Sequence, residues 1–285
     1  MAGSLQGKVA FITGAARGQG RSHAVRLARE GADVIAVDIC AQMGSVDYPM
    51  ATEADLAETA RQVEALDRRV VTRVADVRDR AQLATAVDAG VAELGRLDVV
   101  VANAGISPLG ASHGSRAWFD AVTVDLVGVI TTVEVAFDHL SAGASIICTG
   151  SMAAMMGGVG SGGGGGAGYA FAKREVARFV HDLAAELAPQ SIRVNAVHPG
   201  NIDTPMLQNE MMYKMFRPDL ENPTRADAEP GFASMHKMPV TTLDANDISE
   251  AVLFLASDAS RYVTGLQLKV EAGALLGMST SGAPG

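Results

Sequence analysis

Tyr169 and Lys173 stand four residues apart in the segment Tyr169-Ala-Phe-Ala-Lys173. On a helix that spacing stacks both side chains on one face. A tyrosine hydroxyl ordinarily loses its proton near pH ~10. A neighbouring ammonium stabilises the phenolate and lowers that value, so the residue types predict a Tyr169 that exchanges a proton nearer neutrality. Taken alone the pair is weak, because most such pairs are an ordinary aromatic beside a solvated lysine. Its weight comes from what surrounds it.

A second constellation lies near the N-terminus, where Thr13-Gly14-Ala15-Ala16-Arg17-Gly18-Gln19-Gly20 follows one apolar run and opens a helical one. Gly14, Gly18 and Gly20 permit a tight turn and close backbone approach to a pyrophosphate, and a helix start there offers unpaired N–H groups and a positive dipole end. Asp38, followed by Ile39, ends the next apolar run. A carboxylate there accepts hydrogen bonds from adenosine ribose hydroxyls and repels a 2′-phosphate. Two unit charges ~4 Å apart cost roughly 4 kcal/mol at an effective dielectric of ~20, which favours NAD over its 2′-phosphorylated relative. Arg17 is the counter-signal, since a cation in this loop could reach such a phosphate. Asp76-Val77 and Asn103-Ala104-Gly105 close two further apolar runs in the same register.

The elements that must position these groups are legible as alternating runs. Strands are predicted at 8–13, 33–38, 70–76, 97–102, 145–150, 192–197 and 265–270, and helices at 20–30, 53–66, 80–94, 118–140, 169–187 and 244–256. Alternation of this kind predicts one α/β domain over residues 1–285, a doubly wound parallel sheet of seven strands with helices on both faces. Ligands of such sheets bind at the carboxyl ends of the strands. Three stretches depart from the alternation: a long connection at 39–52, a glycine-rich stretch at 157–168 with an unbroken run from Gly162 to Gly166, and an excursion at 199–239. The first is expected to lie on the cofactor side and the last to form a substrate lid, because long loops are usually functional or mobile.

Composition excludes several classes. A formal net charge of −9 argues against sequence-independent nucleic-acid binding, which needs a basic footprint. The two cysteines, Cys40 and Cys148, and the six histidines show no metal-ligand spacing, so no metal is expected. No apolar stretch reaches the ~18 residues of a membrane span, and the first residues lack a signal pattern. The chain therefore reads as cytoplasmic.

Together the motifs resemble the short-chain dehydrogenase/reductase family. The matching pieces, TGAARGQG (13–20), Asp38, Asp76, NAG (103–105), Ser151, YAFAK (169–173) and PGNIDT (199–204), run nearly the length of the chain. The resemblance implies a Rossmann-type fold and a hydride transfer between NAD and a CH–OH carbon. It implies that Ser151 holds the substrate oxygen, Tyr169 exchanges the proton, and Lys173 holds the nicotinamide ribose. Pro199, Gly200, Ile202 and Thr204 would border the nicotinamide, the last two at its carboxamide end. A homotetramer with two-fold symmetry is implied as well.

Two departures from the family pattern stand out. Asp125, in Asp125-Leu126-Val127-Gly128, replaces an asparagine that supports a water-mediated proton relay in the family, and it adds charge near Lys173. Ser151 also lies farther ahead of Tyr169 than is usual, an excess the glycine run accounts for if it loops out. GQGRSHA (18–24), the 39–52 insert and VHPGNIDTPM (197–206) are similar to an actinobacterial, carveol-dehydrogenase-like branch coupled to the redox carrier mycofactocin. In that branch NAD is thought to stay bound, and the insert is placed to cover its adenosine half.

Methionines cluster around the expected site mouth: Met152, Met155 and Met156 after Ser151, and Met206, Met211, Met212 and Met215 after the PGNIDT stretch. Methionine packs adaptably against irregular apolar shapes, which predicts a lipophilic secondary alcohol or ketone, cyclic or terpenoid. His198 reads as a structural loop residue. Two rival readings stand beside this one. A sugar-nucleotide epimerase or dehydratase would need more chain after Pro199. An NAD-binding sensor or scaffold without turnover would have little use for Ser151, Tyr169 and Lys173 together.

Overall fold

The computed structural model describes residues 3–109, 113–156 and 163–277. Its strands are β1 (Val9–Thr13), β2 (Asp33–Asp38), β3 (Val70–Val74), β4 (Val99–Ala102), β5 (Ser145–Thr149), β6 (Arg193–Pro199) and β7 (Gln267–Val270). They form one sheet in the order β3-β2-β1-β4-β5-β6-β7, and every pairing is parallel. β1, β4 and β5 are buried along their whole length. Strands covered on both faces read as continuous apolar runs for this reason.

The helices are α1 (Gly18–Arg29), α2 (Glu53–Glu64), α3 (Arg80–Leu94), α4 (Gly114–Val122), α5 (Gly128–Phe137), α6 (Gly163–Leu187), α7 (Glu210–Phe216), α8 (Arg225–Met235) and α9 (Ala245–Ala256). Two cores sandwich the sheet. Leu27 of α1, Leu56 and Val63 of α2, and Ile248, Val252 and Leu255 of α9 pack with Ile12, Val34 and Val101 on one face. Leu83 and Val87 of α3, Val129 and Val133 of α5, and Val176 and Val180 of α6 pack with Phe11, Val100 and Ile146 on the other.

Strand order reverses between β1 and β4, which opens a crevice at their carboxyl ends. Gly14 leaves β1 with φ +67°, and a Cβ there would lie 2.8 Å from the Ala104 Cα, so only glycine lets these two strand ends converge.

Two expectations are corrected. The helix predicted over 118–140 starts earlier and is split: α4 and α5 are joined by a π-helical turn, Thr123–Val127. The extra residue of a π turn hardly disturbs the apolar period, so the sequence pattern does not show it. Such turns recur at functional sites, and this one carries Asp125. The glycine run does not simply loop out, since its Gly163–Gly166 part forms the first turn of α6, while 157–162 lie outside the described residues. A Cβ at Gly165 would overlap the Pro108 carbonyl oxygen, and one at Gly168 would come within 2.7 Å of the Trp118 carbonyl oxygen. Tertiary packing here overrides the weak helix propensity of glycine.

Within 199–239, Asn209 caps α7 by accepting from Met212 N at 3.0 Å, and Thr224 with Asp227 forms a capping box for α8. A small separate core of Leu207, Ala228 and Phe232, with Phe216 edge-on to Phe232, joins the two helices. Among the described residues, no helix is long and apolar enough to cross a membrane, and no group of three His, Cys, Asp or Glu side chains could hold a metal ion.

Candidate active site

Gly14, Arg17, Gly18, Gln19, Gly20, Asp38, Ile39, Asp76, Val77, Asn103, Ala104 and Gly105 line a single cleft at the strand ends. Asp38 is fixed there by two backbone donors, Ala16 N to its Oδ2 at 3.0 Å and Cys40 N to its Oδ1 at 3.1 Å. The Asp76 carboxylate is taken up by the Arg78 guanidinium at 2.6 Å. Asn103 ties three strand ends together: its amide donates to the Thr13 carbonyl at 3.0 Å, and its Oδ1 accepts from Thr149 Oγ1 at 3.3 Å.

A second, larger cavity of about 590 Å³ opens beside the first. Ser151, Tyr169, Lys173, Asp125, Pro199, Gly200, Ile202 and Thr204 all lie in its wall. The Lys173 ammonium donates to the Thr149 carbonyl at 2.9 Å and lies 3.8 Å from Asp125 Oδ1. Asp125 Oδ1 also accepts from Ile106 N at 2.9 Å, whereas the buried Oδ2 has no hydrogen-bond partner among the described residues. Burial pushes the Asp125 carboxyl up to about 7, against the opposing pull of Lys173 and the Ile106 N–H.

Ser151 caps a short helical turn by accepting from Ala153 N at 3.1 Å, and its side chain is hydrogen-bonded to Tyr169. Its backbone is held by a residue the sequence reading placed in a loop. His198 is a buried strand residue of β6. Gln267 of β7 donates its amide to Ala177 O at 3.1 Å and places its Oε1 2.7 Å from His198 Nε2. His198 Nδ1 lies 3.2 Å from Ser151 N and 3.0 Å from the Ser151 carbonyl oxygen, so the ring meets both backbone groups of Ser151. Burial first of all lowers the His198 pKa, while its hydrogen bonds to Gln267 and to the Ser151 backbone oppose that shift.

The expected lowering of Tyr169 is reversed. Burial raises its pKa above the ordinary value, the Asp125 carboxylate raises it further, and the Ser151 hydrogen bond only partly offsets them. Lys173 Nζ sits 5.6 Å from the Tyr169 ring centroid, farther than it sits from Asp125.

The rest of the larger cavity is apolar. Leu109, Met152, Met156, Met206, Leu207, Met212, Met215, Phe216 and Met235 form its walls. Met211 is not among them: Met212, Met215 and Phe216 share the inner face of α7 at i, i+3 and i+4, and Met211 is turned off that face.

The 39–52 insert crosses the outer side of the cleft. Met43, Val46 and Tyr48 are buried in the main core. Ser45 Oγ donates to Asp120 Oδ2 of α4 at 2.7 Å, and the Tyr48 hydroxyl accepts from Ser107 N at 3.1 Å. Ile39, Met43, Tyr48, Met50 and Ala51 thereby become part of the cleft wall.

Comparison with known proteins decides the family. The sequence family described as enoyl-(acyl carrier protein) reductase matches residues 14–274. The chain is 44% identical over 278 residues to (−)-trans-carveol dehydrogenase from Rhodococcus erythropolis, covering 95% of this chain and 99% of that one. The crystal structure of carveol dehydrogenase from Mycobacterium avium in complex with NAD superposes with a TM-score of 0.90 at 49% identity, over 96% of this chain and 99% of that one. A short chain dehydrogenase from Mycobacterium paratuberculosis bound to NAD gives 0.84 at 39% identity, over 96% and 100%. The chain belongs to the short-chain dehydrogenase/reductase family. Within it, this is an oxidoreductase of the carveol-dehydrogenase-like group.

As a short-chain dehydrogenase, the chain has a cleft that fits a nicotinamide dinucleotide on its own evidence. Gly18 has φ +55°, a left-handed conformation that favours glycine, and a Cβ there would be in ordinary contact with Thr204 Cγ2 at 3.4 Å, so the loop and the 199–204 stretch lie side by side. The N-terminal N–H groups of α1 face the cleft and suit a diphosphate. Gln19, Asn103, Gly105, Thr204 and Met206 line both cavities, so the nicotinamide end belongs where the two meet.

Proposed function

We propose that this short-chain dehydrogenase uses NAD to interconvert a lipophilic secondary alcohol, cyclic or terpenoid, and its ketone. One observation carries the reading: an apolar cavity of about 590 Å³ with Ser151, Tyr169 and Lys173 grouped in one part of its wall. That volume suits a ten-carbon skeleton, and cavities of about 300–1,000 Å³ are typical for small ligands.

When bound, oxidised NAD would supply the hydride acceptor for the carbinol carbon and a positive charge that favours a nearby phenolate. The Ser151 hydroxyl orients the substrate oxygen, held by the His198–Gln267 network. Tyr169 takes the hydroxyl proton as general base in oxidation and returns it as general acid in reduction. Lys173, anchored on the Thr149 carbonyl, holds the ribose and keeps its positive charge beside the phenol. Asp125 moderates that charge. The methionine walls exclude water and adapt to the hydrocarbon.

The 39–52 insert is a cover over the adenosine half, and 199–239 with α7 and α8 is the substrate lid. Tyr48 and Ser45 fasten the cover, which supports slow NAD release and reoxidation in place by an external carrier of the mycofactocin kind. Exposed Phe119 of α4, Val127 of the π turn, and Ile130 and Phe137 of α5 support a homotetramer.

The test is oxidation of a panel of secondary alcohols by the purified protein, with an artificial redox dye as terminal acceptor. Carveol and other cyclic apolar alcohols are expected to turn over far faster than short hydrophilic ones. A preference for hydrophilic alcohols would overturn the substrate class.

A further inference from the structure

Gln19 sits in the first turn of α1, between two glycines that need no side-chain room. It lines both the cofactor cleft and the substrate cavity. Its side-chain oxygen Oε1 is buried and has no hydrogen-bond partner among the described residues. A buried amide oxygen left unpaired bears its whole desolvation cost, so such an atom in a cleft wall points to a donor that arrives with a ligand.

The chemistry of that donor is restricted. An amide oxygen accepts and so does a phosphate oxygen, which excludes the diphosphate as the partner of this atom. The adenine end belongs with Asp38 and Asp76, on the other side of the glycine loop. At the junction of the two cavities, the strongest N–H donor of a nicotinamide dinucleotide is its carboxamide.

We propose that Gln19 Oε1 accepts a hydrogen bond from the nicotinamide carboxamide N–H and so fixes which face of the ring looks into the substrate cavity. The inference rests on reading the cleft as an NAD site. Gln19 is a positioning residue in this role, since it orients the ring without touching the transferred hydride. Thr204, whose methyl approaches Gly18, borders the ring from the other side.

The experiment compares two ligands that differ only in the group concerned. NAD and its 3-acetylpyridine analogue, which keeps the carbonyl but lacks the N–H donor, are titrated calorimetrically into the cofactor-depleted full-length protein. Gln19→Met matches the side chain in length and removes the acceptor, whereas Gln19→Glu keeps an acceptor. A neutral hydrogen bond corresponds to an affinity change of about three- to tenfold. Gln19→Met is therefore expected to reduce the NAD-over-analogue affinity ratio by that factor with analogue affinity unchanged, while Gln19→Glu retains the ratio. Gln19→Leu is read in the same way should the methionine variant fail to fold. Equal weakening of both dinucleotides, or no change in either, would overturn the proposal while leaving the NAD site standing. Failure of the unaltered protein to bind either one would bring down the cofactor reading itself.

Discussion

The Asp125 carboxylate lies 3.8 Å from the Lys173 ammonium, and both side chains are buried. Burial is the main reason the pKa of Tyr169 is raised, and the same carboxylate raises it further. Burial holds Asp125 up to about 7. Below that pH the carboxyl is protonated and its repulsion of the phenolate is absent; above it the repulsion is present. Asp125→Asn removes a negative charge beside the phenol, so the Tyr169 pKa falls. The pH–rate profile for alcohol oxidation is expected to shift to lower pH in this variant. An unchanged midpoint, or a shift to higher pH, would show that Asp125 does not act on Tyr169.

The proposed cover role of the 39–52 insert can be tested at Tyr48. Tyr48→Phe removes the hydroxyl that accepts from Ser107 N and leaves that buried N–H unsatisfied, at a cost of about 1–3 kcal/mol to the closed arrangement. Exchange of bound NAD against labelled NAD should quicken by about tenfold or more in this variant, on the assumption that the full cost is felt in release. If exchange is fast in the unaltered protein, or the same in both, the insert is not a cover.

The glycine run makes a stability prediction in which two effects oppose each other. Alanine is a better helix former than glycine by about 1 kcal/mol. At Gly165, however, a Cβ would overlap the Pro108 carbonyl oxygen and meet Ala117 Cβ at 3.1 Å. Backbone cannot rotate out of the way, and overpacking typically costs about 1–3 kcal/mol. Gly165→Ala should therefore lower the melting temperature by several degrees. A rise would mean that α6 and the Pro108 segment are less closely packed than the structure shows.

Much of the fold is written in local pattern. The continuous apolar runs at 33–38 and 145–149, the glycine loop after β1 and the carboxylate ending β2 each follow from period, turn chemistry and charge. The parts that escaped depend on distant contacts. The π turn at Asp125 leaves the apolar period nearly intact. The Gly163–Gly166 turn is helical because Pro108 and Gly114 press against it, and neither is near in sequence. The choice of Met212 over Met211 is a matter of helix phase in the short helix α7. The His198–Gln267–Ser151 network depends on the β6–β7 register, which pairs His198 with Lys269 and sets Gln267 beside it. The sign of the Tyr169 shift needed the depth of burial, which residue types alone do not reveal.

The central claim is that Tyr169 moves the proton. Tyr169→Phe removes one hydroxyl with little change in volume, and a general acid–base group typically contributes ~10²–10⁴-fold. The direct measurement is a single-turnover assay that follows NADH formation on the NAD-loaded protein after mixing with carveol, beside an NAD titration of the same variant. The account predicts unaltered NAD affinity and a rate lower by about a hundredfold or more. A near-normal rate with normal NAD binding would contradict it.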